Sequence, residues 1–150
     1  SRWPVVVVVF VVEEFGAICE AMYLIMVSDG KVSNVERDVL RGALRIISDD
    51  QVRSSHIESM VDQAARRIAE SGFEARLDSV VERLRGDRVK SELTLLLAAA
   101  VAAADDQIVP QEQAVIDALA EGLGITEVEA NASLDEMNHK ESGKFPIARR

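Results

Sequence analysis

The sequence predicts an all-α protein: a compact bundle of about seven helices built from two pseudo-symmetric helix–acidic turn–helix repeats. Three observations predict it. Apolar residues recur at helical spacing through most of the chain, with Gly, Asp and Ser between the runs. The single strand-like run, a stretch of valines near the start, has no second run to pair with. One short phrase also occurs twice, 76 positions apart. It reads Asp29-Gly30-Lys31-Val32-Ser33-Asn34-Val35-Glu36 and then Asp105-Asp106-Gln107-Ile108-Val109-Pro110-Gln111-Glu112.

The elements follow in order. Residues 1–12 form a hydrophobic lead-in, uncharged from Trp3 to Val12. A bilayer span takes roughly 20 apolar residues, so this stretch is too short to cross a membrane. No small-residue cleavage site follows, so it does not read as a signal peptide. Burial in the domain, or in a contact between copies in a homo-oligomer, is its expected use. The chain starts at Ser1, and residues upstream are allowed for.

Phe15 to Val27 is apolar nearly all round, as a buried helix is. Asp29-Gly30 ends it, glycine tolerating the left-handed backbone of a helix end. Ser33 with Glu36 forms a capping box, each side chain serving a free N–H at the start of the next helix. Val35, Val39, Leu40, Ala43, Leu44 and Ile47 make its apolar stripe. Ser48-Asp49-Asp50 breaks the pattern. Ser55 with Glu58 predicts a box opening a helix to about Glu70, and Ser71 with Glu74 another, to about Leu84. Asp87 can cap a helix to Ala104 whose core is apolar on every face. Its alanines, from Ala98 to Ala104, would let neighbours approach and place it at the centre of the bundle. Pro110 suits the first position of a helix to Leu123, its missing N–H being unpaired there anyway. Gly124 stops that helix. Thr126 with Glu129 opens a last one to about Asn138, and residues 139–150 read as a frayed polar tail. The whole is a single domain.

The duplication extends beyond the turns. With the same offset, Ala17–Val27 falls on Leu93–Ala103, and Val39 and Leu40 fall on Val115 and Ile116. One helix pair cannot cover its own apolar faces; two packed together can.

Composition excludes several function classes. Of 150 residues, Asp plus Glu number 26 and Lys plus Arg 17, a formal net charge of −9. A nucleic-acid or anionic-membrane binder needs a basic patch, so neither is expected. Cation binding, a basic partner and plain solubility all fit this sign. Cys19 is the single cysteine, expected as a small core residue; it permits no intrachain disulfide and fits a reducing cytoplasm. No nucleophile elbow, zincin helix or Gly-rich cofactor loop is present, and no enzyme activity is expected.

The repeated pattern of apolar helix, acidic turn ending in a glutamate, and amphipathic helix resembles the TerB-like tellurite-resistance domain. The resemblance covers roughly residues 13 to 138, most clearly 17–47 and 93–124. It implies a bundle of about seven helices with pseudo-symmetric halves, an acidic surface and a metal-ion role. It also implies a part in stress complexes that include a membrane protein and other tellurite-resistance proteins. The same domain type occurs fused to co-chaperone J-domains, so the fold does not fix one function. The family's acidic motif positions fall on Asp29 and Glu36, and on Asp105 and Glu112. Two positions depart from the pattern. Asp106 stands where glycine is expected, and Val109 where a capping Ser or Asp is expected, so the second turn loses its box and gains a carboxylate.

The turns are not EF-hands. Counting Asp29 as one, Glu36 is at position eight rather than twelve, and Lys31 sits where a ligand is needed. Gly30-Lys31 alone is no phosphate loop. The plain reading is a helix-ending turn and a helix cap. The sharper reading brings the turns together, so that Asp29, Glu36, Asp105, Asp106 and Glu112 form one acidic cluster. Packed carboxylates repel unless protons or a cation neutralise them, and an oxygen-rich set suits Ca²⁺, Mg²⁺ or Mn²⁺. Zinc is disfavoured, with one cysteine and two distant histidines, His56 and His139.

Overall fold

The computed structural model describes residues 12–125. Among them are six α-helices, one 3-10 turn and no strand. The lead-in before Val12, the expected helix from Thr126 and the tail over 139–150 lie outside the described residues.

The first helix, α1 (Val12–Val27), has hydrophobic side chains on every face, and every residue from Ala17 to Met26 is buried. It touches all five others: α2 (Asn34–Ile47), α3 (Ser54–Ser71), α4 (Phe73–Leu84), α5 (Arg88–Ala102) and α6 (Pro110–Leu123). The centre of the bundle is therefore α1, not the alanine-rich α5. The small side chains of α5 do permit close packing, and Ala98, Ala99 and Ala102 are buried against α1, α2 and α6. Its Leu96, Leu97 and Ala100 remain part-exposed. Helices α2, α3 and α4 are amphipathic and lay Leu40, Leu44, Ile57, Val61, Leu77, Val80 and Leu84 onto this core.

One residue in the buried stretch Ala17–Met26 of α1 is charged. Glu20 is 1% exposed, and a lone buried carboxylate would cost several kcal/mol. Two arginines from α4 answer it. Arg76 donates from Nε at 2.7 Å and Nη2 at 2.9 Å, and Arg83 donates from Nη2 at 2.9 Å. Arg67 of α3 stands 4.0 Å away. Burial alone pushes the Glu20 carboxyl up, but the hydrogen bonds from Arg76 and Arg83 outweigh it and hold the carboxyl below its ordinary value. Sequence reading did not single out Glu20, since one glutamate in an apolar run does not reveal which arginines reach it.

The helix ends confirm some expectations and correct others. Ser33 and Glu36 form the full box, and Asp87 caps α5 by accepting the Lys90 N–H at 3.1 Å. Pro110 opens α6, and Gly124 ends it at φ 76°. The box at Ser55–Glu58 does not form. Helix α3 starts two residues earlier, after Arg53, and the Glu58 carboxylate instead receives Arg37 and Arg41 from α2. The box at Ser71–Glu74 does not form either. Helix α3 runs through Ser71, and α4 starts two residues later across Gly72. At φ 92° Gly72 makes the corner without a linker, so no serine cap is needed.

Two predictions follow from this packing. Replacing Glu20 by Gln leaves Arg76 and Arg83 facing a neutral amide, and should destabilise the fold by about 3 kcal/mol in urea unfolding at pH 7. Ion pairing at Glu20 stabilises the fold above the unfolded carboxyl pKa and is lost as pH falls through the lower folded value, so the E20Q deficit should shrink in acid. The second concerns two helical glycines. A Cβ at Gly122 would lie 2.8 Å from Val81 Cγ2, where α6 crosses α4, whereas a Cβ at Gly42 meets nothing within 4 Å. Gly122→Ala should lower stability by about 1–2 kcal/mol through overpacking. Gly42→Ala should raise it by up to about 1 kcal/mol through helix propensity.

Candidate functional site where the two acidic turns meet

Each acidic turn is shaped by local backbone needs. After α1 the chain reverses through Gly30 at φ 83°, and Asp29 Oδ1 accepts the Lys31 N–H at 3.0 Å. After α5 a short 3-10 turn (Ala103–Asp105) leads to Asp106 at φ 73°. Asp106 thus adopts the left-handed conformation that glycine adopts in the first turn. Aspartate tolerates this region better than most residues, but not without cost.

Both turns then launch helices of 14 residues, α2 and α6, whose boundaries carry the same 76-residue offset. Glu36 and Glu112 occupy the third position of their helices. Glu36 Oε1 accepts the Ser33 N–H at 3.1 Å, and Glu112 Oε1 accepts the Val109 N–H at 3.1 Å. Ser33 returns the favour, its Oγ accepting the Glu36 N–H at 3.0 Å, while Val109 has no acceptor to offer. The second turn therefore keeps half of the box. Glu112 still serves a backbone N–H, which sequence reading had discounted.

The turns lie side by side. Ser33 Oγ donates to Asp105 Oδ2 across 3.3 Å. Glu36 and Glu112 are each 3% exposed, and their carboxyl groups are close enough to hydrogen-bond. A hydrogen bond between two carboxyl groups needs a proton on one of them, so the pair favours the singly protonated form. Burial pushes the Glu112 carboxyl up, and the hydrogen bond with Glu36 raises it further. The Val109 N–H opposes this, the charges of Glu36 and Asp29 add to it, and the result is about 7.

Of the five carboxylates expected to cluster, Glu36 and Glu112 are in contact, and Asp29 is near enough for its charge to act on Glu112. Asp105 is exposed and tied to Ser33; Asp106 is exposed. Among the described residues, no group of three or more His, Cys, Asp or Glu side chains is arranged to hold a metal ion. A pair of carboxylates falls short of the six to eight oxygens Ca²⁺ takes, unless water and turn carbonyls supply the rest. His56 is exposed at the start of α3, and His139 lies outside the described residues. Cys19 is buried in α1, as expected of a core residue, its thiol pushed up to about 12 by burial and by the charges of Glu20 and Glu58.

An all-helical bundle with two helix-launching acidic turns, joined through buried glutamates, defines a class of small α-helical protein. The family comparison makes it specific. The model for "Tellurite resistance protein TerB" matches residues 15–134, and the chain belongs to that family. No curated protein and no solved structure matches the chain.

The glutamate pair predicts a pH dependence. Glu112 has a folded value near 7 against an ordinary value of 4.5, so between these pH values the folded state holds a proton the unfolded state has lost. Stability must then fall as pH rises through this window. A shift of this size is worth up to about 3 kcal/mol. Glu112→Gln mimics the protonated carboxyl, keeping an acceptor for Val109 and a donor for Glu36. Its thermal midpoint should exceed that of the parent at pH 8 and converge with it near pH 5. Parallel curves across this range would refute the shared proton.

Proposed function

We propose that this chain is a non-enzymatic tellurite-resistance module that acts in a stress response through contacts with other proteins, presenting an acidic surface in the cytoplasm. Membership of the TerB family over most of the chain carries this reading. The net charge of −9 supports a partner with basic character and argues against nucleic acid. No described helix is long and apolar enough to cross a membrane, so a membrane-associated complex would be reached through a protein partner. The two halves are read as copies of one unit; the common offset of α2 and α6 and the meeting of their glutamates support this.

A second reading is favoured by one observation, the burial of Glu36 against Glu112. A divalent cation such as Ca²⁺, Mg²⁺ or Mn²⁺ would relieve their repulsion as a proton does, with Asp29, Asp105 and Asp106 as further donors.

Both readings are tested on the full chain. Affinity capture from tellurite-treated cells should retain other tellurite-resistance proteins; a clean monomer that retains none counts against the first reading. Thermal shift with each cation against chelator tests the second. Stabilisation at millimolar metal should disappear in the double variant Asp105→Asn, Glu112→Gln. No stabilisation, or stabilisation that survives both changes, removes cation binding.

A further inference from the structure

Three guanidinium groups converge on one oxygen atom where α3 and α4 meet α1. Glu20 Oε1 has Arg76 Nη2 at 2.9 Å, Arg83 Nη2 at 2.9 Å and Arg67 Nη1 at 4.0 Å. Arg76 and Arg83 are needed there, because Glu20 is buried and their hydrogen bonds stand in for water. Arg67 is not needed in that sense. The carboxylate already receives three hydrogen bonds from α4, and at 4.0 Å Arg67 adds none.

The cluster carries more charge than its own contacts use. Among the described residues, Glu20 is the ion-pair partner of all three arginines, and no other carboxylate pairs with any of them. Three cations against one anion leave a local surplus of positive charge, in a chain whose formal net charge is −9. Donors are also left over. Among the described residues, Arg76 uses Nε and Nη2, Arg83 uses Nε on the Ser79 carbonyl and Nη2 on Glu20, and Arg67 uses none. Nη1 of Arg76 and of Arg83, and the whole fork of Arg67, therefore remain open to a ligand. Solvent reaches them: the side chains of Arg67, Arg83 and Arg76 are 40%, 28% and 16% exposed.

We propose that this cluster binds a doubly charged oxyanion of phosphate size, held on the solvent side of Glu20 by Arg67 and Arg83. Water can meet the open donors but cannot neutralise the surplus charge; a dianion does both. Its size follows from the geometry. All three nitrogens lie within 4.0 Å of one oxygen, so they are at most about 7 Å from each other, a gap that one tetrahedral oxyanion bridges with charge-assisted bonds of about 2.8 Å to each side. Chloride offers no pair of oxygens to match a guanidinium fork. A nucleic-acid strand or an anionic membrane brings a row of phosphates; three arginines answer one of them, and the rest would face an acidic chain. The net charge opposes even a small anion at a distance, but a screening length of about 8 Å at physiological salt leaves the nearby guanidiniums to decide. The site is separate from the paired glutamates and rests on neither reading of the function.

Titration of the full chain with inorganic phosphate at pH 7.5, at constant ionic strength in chloride, tests this through the arginine Nε–H resonances. Those of Arg67 and Arg83 should shift and saturate at millimolar phosphate. That of Arg66, an exposed neighbour outside the cluster, should not. Sulfate should reproduce the shifts, and nitrate should not. Arg67→Gln should weaken phosphate binding about tenfold, the loss of one charge-assisted contact, with an unchanged thermal midpoint in chloride. Arg66→Gln removes the same charge and should change the affinity less than twofold. Glu20→Gln adds to the surplus and should tighten binding severalfold. Shifts that stay linear in phosphate, or equal weakening by Arg66→Gln and Arg67→Gln, would reduce the effect to general charge screening and overturn the proposal. An Arg67→Gln chain that loses stability in chloride yet keeps the parent's phosphate affinity would assign Arg67 to Glu20 alone, and overturn it as well.

Discussion

Burial of α1 is the constraint on which the rest of the structure depends. A helix with apolar side chains all round has no face it can leave in water, so five other helices must enclose it. Glu20 makes that enclosure specific. Its carboxylate fixes where α4 must lie, because Arg76 and Arg83, both on α4, supply its side-chain hydrogen bonds at 1% exposure. Generic hydrophobic packing would allow α4 to slide or rotate; a bidentate arginine pair does not.

The same arrangement also sets the acidic site. Packing α2 and α6 around the α1–α5 pair brings their N-termini together, and with them Glu36 and Glu112. Each glutamate is needed at home, for a helix start whose N–H groups are otherwise unpaired. Their meeting is therefore a consequence of capping two adjacent helices, and the raised proton affinity of Glu112 is its electrostatic result. A cap that also faces a second carboxylate is a group whose proton affinity is raised toward neutrality.

Much of the fold was legible in the sequence because it rests on local rules. The positions of α2, α5 and α6 follow from Ser33, Asp87, Pro110 and Gly124, each acting on its own neighbours. Where a local signal competes with a distant partner, the local reading fails. Glu58 could cap α3, but Arg37 and Arg41 across the α2–α3 contact bind its carboxylate instead. Ser71 could cap α4, but Gly72 turns the chain so tightly that Ser71 stays within α3. Alanine richness suggested α5 as the centre, yet small residues permit close approach without requiring burial on every face.

The sequence by itself determined the all-helical class, the recurrence of the acidic turn at a fixed offset, and the family those features indicate. These are short-range or repeated patterns, readable without knowing what packs on what. Only the tertiary structure decided that α1 is central, that Glu20 is held by two arginines, and that the two turns join through one pair of glutamates rather than five equal carboxylates. The reason is distance in the chain. Glu36 and Glu112 are 76 residues apart, and Glu20 and Arg76 are 56. Their proximity exists only once the apolar helices between them have been buried.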